Sequence, residues 1–295
     1  MPNEPLRIMV YRHSVFYSPL IATIAGGFLE AEGLEAAYFQ KPPQRNQYEM
    51  FRYGEVDIMQ AAVSTSWDPL SKGIRDIPVH FAQINQRDGF FLAGRPGRSS
   101  FHWKDLEGAR LLADHAQQPL AMLKYALHLK AVDVSRVQMN HVGGPDAMEK
   151  AFRDGHGDFV HLQGPAPQQL EKDGAGKILA ALGETIPPVA FSSLMAMREF
   201  LQTDRARAFM QAYLRALRFV IESPAQEIAE IEASFFPAVS IEAIAAAISR
   251  YQQLGTWRSD PRITREQYEM AMDVFLFSGV FKERYAYEDV VVSLL

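Results

Sequence analysis

Apolar positions along this chain follow two rhythms that alternate through its first two thirds. Leu6 to Tyr11 alternates and is rich in β-formers, which predicts a strand. Ser18-Pro19 then predicts a helix start, with serine as cap, proline at the first helical position and Gly33 as the stop. Leu20, Ile21, Ile24, Phe28 and Leu29 form that helix's apolar face. Strands follow at Ala36–Gln40, Asp57–Ala62, Val79–Asn85 and Phe90–Ala93, with helices at Asn46–Tyr53 and from Ser64. Thr65 with Asp68 makes a capping-box-like pair at the second of these. A further run of strands and helices occupies residues 109–197, and residues 205–277 carry four helical patterns of 3.6 period.

Two segments interrupt the rhythm. Arg95-Pro96-Gly97-Arg98-Ser99-Ser100 and Thr185-Ile186-Pro187-Pro188 read as hinges. One unit recurs on either side of the first. Gly54-Glu55-Val56-Asp57 leads into an apolar strand and then small polar residues, and Gly155-His156-Gly157-Asp158 does the same up to Gly164-Pro165. The expected fold is therefore α/β, a two-lobed arrangement of mixed, mostly parallel sheets with a C-terminal helical segment. Lobe 1 comprises residues 1–95 plus 189–295 and lobe 2 residues 96–188, with a ligand cleft between them. Two crossings permit a hinge that shuts on a ligand.

Ligands in such folds sit at the carboxyl ends of strands, beside helix N-termini. That places Arg12, His13, Phe16 and Tyr17 at the site, in the loop after the first strand. Phe16 or Tyr17 could stack on a planar ring, and Arg12 could pair with an oxyanion. Ser64, Thr65 and Ser66 gather three hydroxyls at a helix start, where plain capping is the competing role. Asn85 ends a strand near the hinge. Asp114, His115 and His141 follow strands of the second lobe, and His161 lies on another. Gln163 offers a donor and an acceptor, and Gly164 lets a ligand approach the backbone. Trp67, Trp103 and Trp257 read as packing residues.

Composition narrows the function. The 295 residues carry a formal charge of -5, which gives nucleic acid or an anionic membrane no attraction. There is no cysteine, so disulfides and thiolate chemistry are excluded. No H-E-x-x-H spacing is present, and neither a metal nor a cofactor is expected. No apolar run reaches the roughly 18 residues of a membrane span. No basic segment precedes an apolar one near Met1, so the chain as given reads as cytoplasmic. A trimmed or mis-started export signal would make it periplasmic.

Four segments in order carry a resemblance. Phe28-Leu29-Glu30-Ala31-Glu32-Gly33-Leu34-Glu35, the two G-x-x-D entries and the turn Asp105-Leu106-Glu107-Gly108 are similar to motifs of the substrate-binding proteins of ABC transporters. The match spans roughly residues 6 to 220 and resembles the sulfonate, nitrate, taurine and thiamine-pyrimidine-precursor branch. The resemblance implies a periplasmic-binding-protein type II fold, a small planar ligand (an anion or a pyrimidine-like ring) and a membrane permease as partner. It implies a monomer or weak dimer and no chemistry. The branch also includes pyrimidine synthases, but their cysteine-rich motif is missing here, and Gln60 to Ser66 lacks their lysine and histidine. Asp114 to Gln118 stands where anion-binding relatives have a Gly-Ser-Thr-like loop. The alternatives are a cytosolic enzyme on this scaffold, of aromatic-acid decarboxylase or lyase type and drawing on Asp114-His115, and a ligand sensor.

Overall fold

The structure, a computed structural model, describes residues 4–98 and 100–293; Ser99 of the first hinge segment lies outside them. Ten strands form two five-stranded sheets. The first contains β1 (Leu6–Val10), β2 (Ala36–Gln40), β3 (Ile58–Ala61), β4 (Val79–Asn85) and β10 (Ser192–Ala196), in the order β2-β1-β3-β10-β4. The second contains β5 (Phe90–Gly94), β6 (Arg110–Leu112), β7 (Gln138–Asn140), β8 (Phe159–Gln163) and β9 (Lys177–Ala181), in the order β7-β6-β8-β5-β9.

The two orders are the same pattern written twice. In each sheet three strands run parallel, the fourth runs antiparallel, and an edge strand completes the sheet. The antiparallel strand is in each case the first one laid down after the chain crosses from the other lobe. This corrects the sequence reading. Phe90–Gly94 is fully buried and pairs with β8 and β9, so it belongs to the second sheet. The first crossing therefore runs through Gln86–Gly89. Arg95 of the supposed hinge is tied down within the second lobe, where its guanidinium donates to the carbonyls of Phe152, His156 and Gly157. The second crossing, between β9 and β10, does contain residues 185–188.

The repeated G-x-x-D has a physical cause. Asp57 accepts from the Arg7 backbone N–H at 2.8 Å and pairs with the Arg7 guanidinium at 2.8 Å. Asp158 does the same with Arg110, at 2.9 Å in both contacts. Each aspartate thus ties the start of its own strand to the start of the neighbouring parallel strand.

Helices α1 (Ser18–Ala25), α2 (Gln47–Arg52) and α3 (Ser64–Ser71) serve the first sheet; α4 (Gln117–Leu129), α5 (Pro145–Arg153) and α6 (Ala166–Lys172) serve the second. Ser18 is inside α1, and its hydroxyl bonds the Val15 carbonyl and Glu232. That helix ends at Ala25; Gly33, at φ +70, closes a separate 3-10 turn. Neither Thr65 nor Asp68 caps α3. The C-terminal helices are α7 (Asp204–Glu222), α8 (Ala225–Glu232), α9 (Ile241–Gln253), α10 (Arg265–Phe277) and α11 (Tyr287–Val290). They pack on both lobes: α7 and α8 against α1, α9 against α6, and α10 against α4.

The crossings run side by side. Val189 donates to the Gln86 carbonyl at 2.9 Å and Phe191 to the Asn85 carbonyl at 3.3 Å. Glycine permits the approach. A Cβ at Gly183 would lie 2.5 Å from the Asp88 carbonyl oxygen, which as backbone cannot swing away. Gly183→Ala is expected to lower stability by about 1–3 kcal/mol, the usual cost of overpacking. Heat unfolding checks this against Gly144→Ala, where an added Cβ meets nothing within 4 Å.

Candidate functional site: a cleft between the lobes

A cleft of about 1000 Å³ opens where the carboxyl ends of β1, β3 and β8 face the starts of α3, α4 and α6. Its floor is built by Gln60, at the end of β3. The Gln60 amide donates to the Ser192 hydroxyl at 2.7 Å, and its oxygen accepts the Tyr11 N–H at 3.1 Å. One carboxamide therefore links β10 to the loop that carries Arg12 and His13.

Arg12 lines the cleft and reaches across it. Its guanidinium is 2.5 Å from the Asp114 carboxylate and 5.6 Å from the centre of the Phe90 ring. Asp114 is 5% exposed and also accepts the Ala116 N–H at 2.8 Å, just ahead of α4. Further polar contacts join the lobes at the cleft: among them the Ser14 hydroxyl donates to the Gly164 carbonyl at 2.5 Å, and Gln118 to the Phe191 carbonyl at 2.8 Å.

His13 holds the far wall. Its Nε2 donates to the Phe235 carbonyl at 2.6 Å, which leaves Nδ1 to accept from the Tyr38 hydroxyl at 2.9 Å. The ring stacks on Phe236 with centroids 4.5 Å apart. Burial lowers its pKa, against a smaller opposing effect of the Phe235 carbonyl, so both bonds are those of a neutral imidazole. Tyr17 lines the cleft beside Gln163, and burial pushes its phenol up to about 12. The Gln163 side chain is buried beside the Tyr17 hydroxyl, and its interaction with that phenol works against the effect of burial. Ser64, Thr65 and Gly164 complete the expected residues found in the lining.

The remaining candidates lie elsewhere. Phe16 is fully buried, packed on Phe191 and Tyr251 beneath the lining. Asn85 is fully buried and donates to the Phe16 carbonyl at 2.6 Å, making it a brace for the loop. Ser66 faces the core, against His80. His161 is fully buried and stacked on Phe90 at 4.3 Å, so it backs the wall. His115 and His141 lean on each other at 4.8 Å outside the lining. Burial first and His141 second lower the pKa of His115. The Asp114-His115 pair is not set up as a general acid and base, because Arg12 occupies the carboxylate. No group of three or more His, Asp or Glu side chains able to hold a metal occurs among the described residues.

Sequence reasoning missed three parts of the cleft. Phe90, the first residue of β5, flanks it, and the segment Phe235–Val239 closes one side, whereas Phe191 was expected at the mouth and does line it. The α5 face supplies Asp146, Glu149 and Lys150. The apolar pair Phe235-Phe236 before Pro237, sitting between two helical patterns, was the available signal for the closing segment.

The profile of the family described as NMT1/THI5 like matches residues 16–227. The chain belongs to that family. It is 26% identical over 97% of its length to YtlA of Bacillus subtilis (strain 168), a protein whose name calls it a candidate binding protein, and covers 87% of it. Among solved structures, the zinc-bound ligand-binding component of an ABC-type import system from Staphylococcus aureus superposes with a TM-score of 0.78 at 16% identity, covering 99% of this chain and 97% of that one. The alkanesulfonate-binding protein SsuA from Xanthomonas axonopodis pv. citri, bound to MOPS, gives 0.74 at 15% identity with 99% of each chain covered. These likenesses establish the two-lobed periplasmic-binding-protein fold. No helix among the described residues is long and apolar enough to cross a membrane.

Proposed function

We propose that this chain is the solute-binding component of an ABC-type import system, closing its lobes on a small planar organic ligand and presenting it to a membrane permease. The reading places the protein on the periplasmic side of that permease, working as a monomer or weak dimer. The observation that carries it is the cleft itself. Both lobes line it, two adjacent crossings join those lobes, and the walls combine the rings of Phe90, Phe191 and Phe236 with the carboxamide of Gln163. Aromatic faces favour a flat solute, and a carboxamide orients its edge. An anion and a pyrimidine-like ring both have that shape.

Mass spectrometry under native conditions tests the proposal on protein purified without denaturation. The expected result is one small organic molecule per chain. Once the protein is stripped of it, X-ray scattering should give a larger radius of gyration that falls again on adding the solute back. A chain that carries no solute, and whose dimensions ignore every candidate, overturns the reading.

A further inference from the structure

Resting on that reading, we propose that Asp114 is the residue that sets the charge class of the ligand, and that the cleft takes an uncharged ring and refuses small organic anions. The carboxylate an anionic solute would bring is already present as part of the protein. Two features of the cleft would attract an anion: the Arg12 guanidinium and the N-terminal end of the 13-residue helix α4. Asp114 pairs with the first and, through the Ala116 N–H, places its charge just ahead of the second. It lies 2.5 Å from Arg12 and accepts the Ala116 N–H at 2.8 Å, and it does so 5% exposed.

The rest of the lining agrees. The other two cations, Lys150 and Arg153, are paired with Asp154 at 2.6 Å and Glu149 at 2.7 Å. The lining thus holds three cations against the three carboxylates Asp146, Glu149 and Asp154, with Asp114 behind them. His13 is neutral. At α3 the N–H groups of Thr65 and Ser66 are committed to the carbonyls of Ala62 and Val63. What remains is Gln163, a neutral carboxamide with a donor and an acceptor side by side, next to the Tyr17 hydroxyl. Such an edge fits a ring carrying a donor next to an acceptor, and it gives a sulfonate only one useful bond.

The experiment is titration calorimetry on the stripped full-length chain with benzenesulfonate and benzamide, flat probes of similar size that differ in charge. The native chain is expected to bind benzamide at least tenfold more tightly than benzenesulfonate. Asp114→Asn keeps an oxygen for the Ala116 N–H while freeing Arg12, and should gain at least tenfold in benzenesulfonate affinity. Asp114→Ser, a smaller neutral side chain, should gain likewise, and adding Arg12→Gln to either should remove the gain. Native binding of benzenesulfonate that equals benzamide and falls on Arg12→Gln overturns the proposal, as does either folded Asp114 variant that gains nothing. These outcomes separate from the reading beneath. A co-purified anion held through Arg12 would sink the charge assignment and leave solute binding intact. A chain with no solute of its own that still gains sulfonate binding on Asp114→Asn would do the reverse.

Discussion

Tyr251→Phe is expected to lower the unfolding free energy by about 2–4 kcal/mol, because it leaves two buried backbone groups without partners at once. The Tyr251 hydroxyl accepts the Gly164 N–H at 2.8 Å and donates to the Gly89 carbonyl at 2.8 Å. Gly164 ends β8 at the cleft, and Gly89 closes the first crossing, so one oxygen joins a lining strand to the hinge. The ring is fully buried against Phe16, Phe91 and Trp257, which leaves water no path to replace the lost oxygen. The site is also tight. A Cβ at Gly164 would come within 2.8 Å of the same hydroxyl, and a Cβ at Gly89 within 2.4 Å of the Phe16 ring. Urea unfolding measures the loss, and hydrogen exchange at the Gly164 amide should quicken with it. A loss below 1 kcal/mol would show that neither backbone group depends on this hydroxyl.

Local features of this fold were legible in the sequence, and pairings between distant segments were not. Asp57 and Asp158 announce themselves because each works within one strand entry. Their partners Arg7 and Arg110 could not be named, since alternation predicts a strand without saying what lies beside it. The run Phe90–Gly94 reads correctly as a buried strand. Its sheet depends on β8 and β9, laid down much later in the chain. Phe16 shows the same limit within one loop. A 3-10 turn over Val15–Tyr17 points the Phe16 ring inward while Tyr17 reaches the cleft, and periodicity carries no signal for so short a turn. Ser64 to Ser66 divide for a related reason. On a helix of 100° steps, two residues can line a cleft only if the third turns to the core, where Ser66 meets His80. The Arg12–Asp114 contact joins the two lobes, so nothing local to either residue foretold it.

Asp88→Asn is expected to change how stability depends on pH, gaining about 4 kcal/mol relative to the native chain between pH 4 and pH 7. Asp88 sits in the first crossing, fully buried, with one carboxyl oxygen accepting the Phe90 N–H at 2.7 Å and the other without a partner. Burial raises its pKa to about 7 from 3.8, against the smaller lowering effect of that N–H. Below 3.8 both folded and unfolded chains hold the proton. As pH rises toward 7 the unfolded chain releases it and the folded chain keeps it, so native stability falls across that window and levels off above it. Glu232, buried against the Ser18 hydroxyl, is raised in the same direction. His80 and His161 oppose them. Burial holds both near 3, so the folded chain keeps them neutral while the unfolded chain takes up protons below 6.5, and stability falls as pH drops from 6.5 toward 3. In the native chain the two acids and the two histidines therefore act in opposite directions. Asparagine retains the acceptor for the Phe90 N–H and has nothing to titrate. The variant should therefore lose stability on acidification more steeply than the native chain, by about 1.4 kcal/mol per pH unit. Urea unfolding of both proteins at pH 4.5, 5.5, 6.5 and 7.5 measures the difference. Parallel curves would mean that Asp88 is ionised in the folded chain across the whole range, and that the first crossing is wetter than its packing implies.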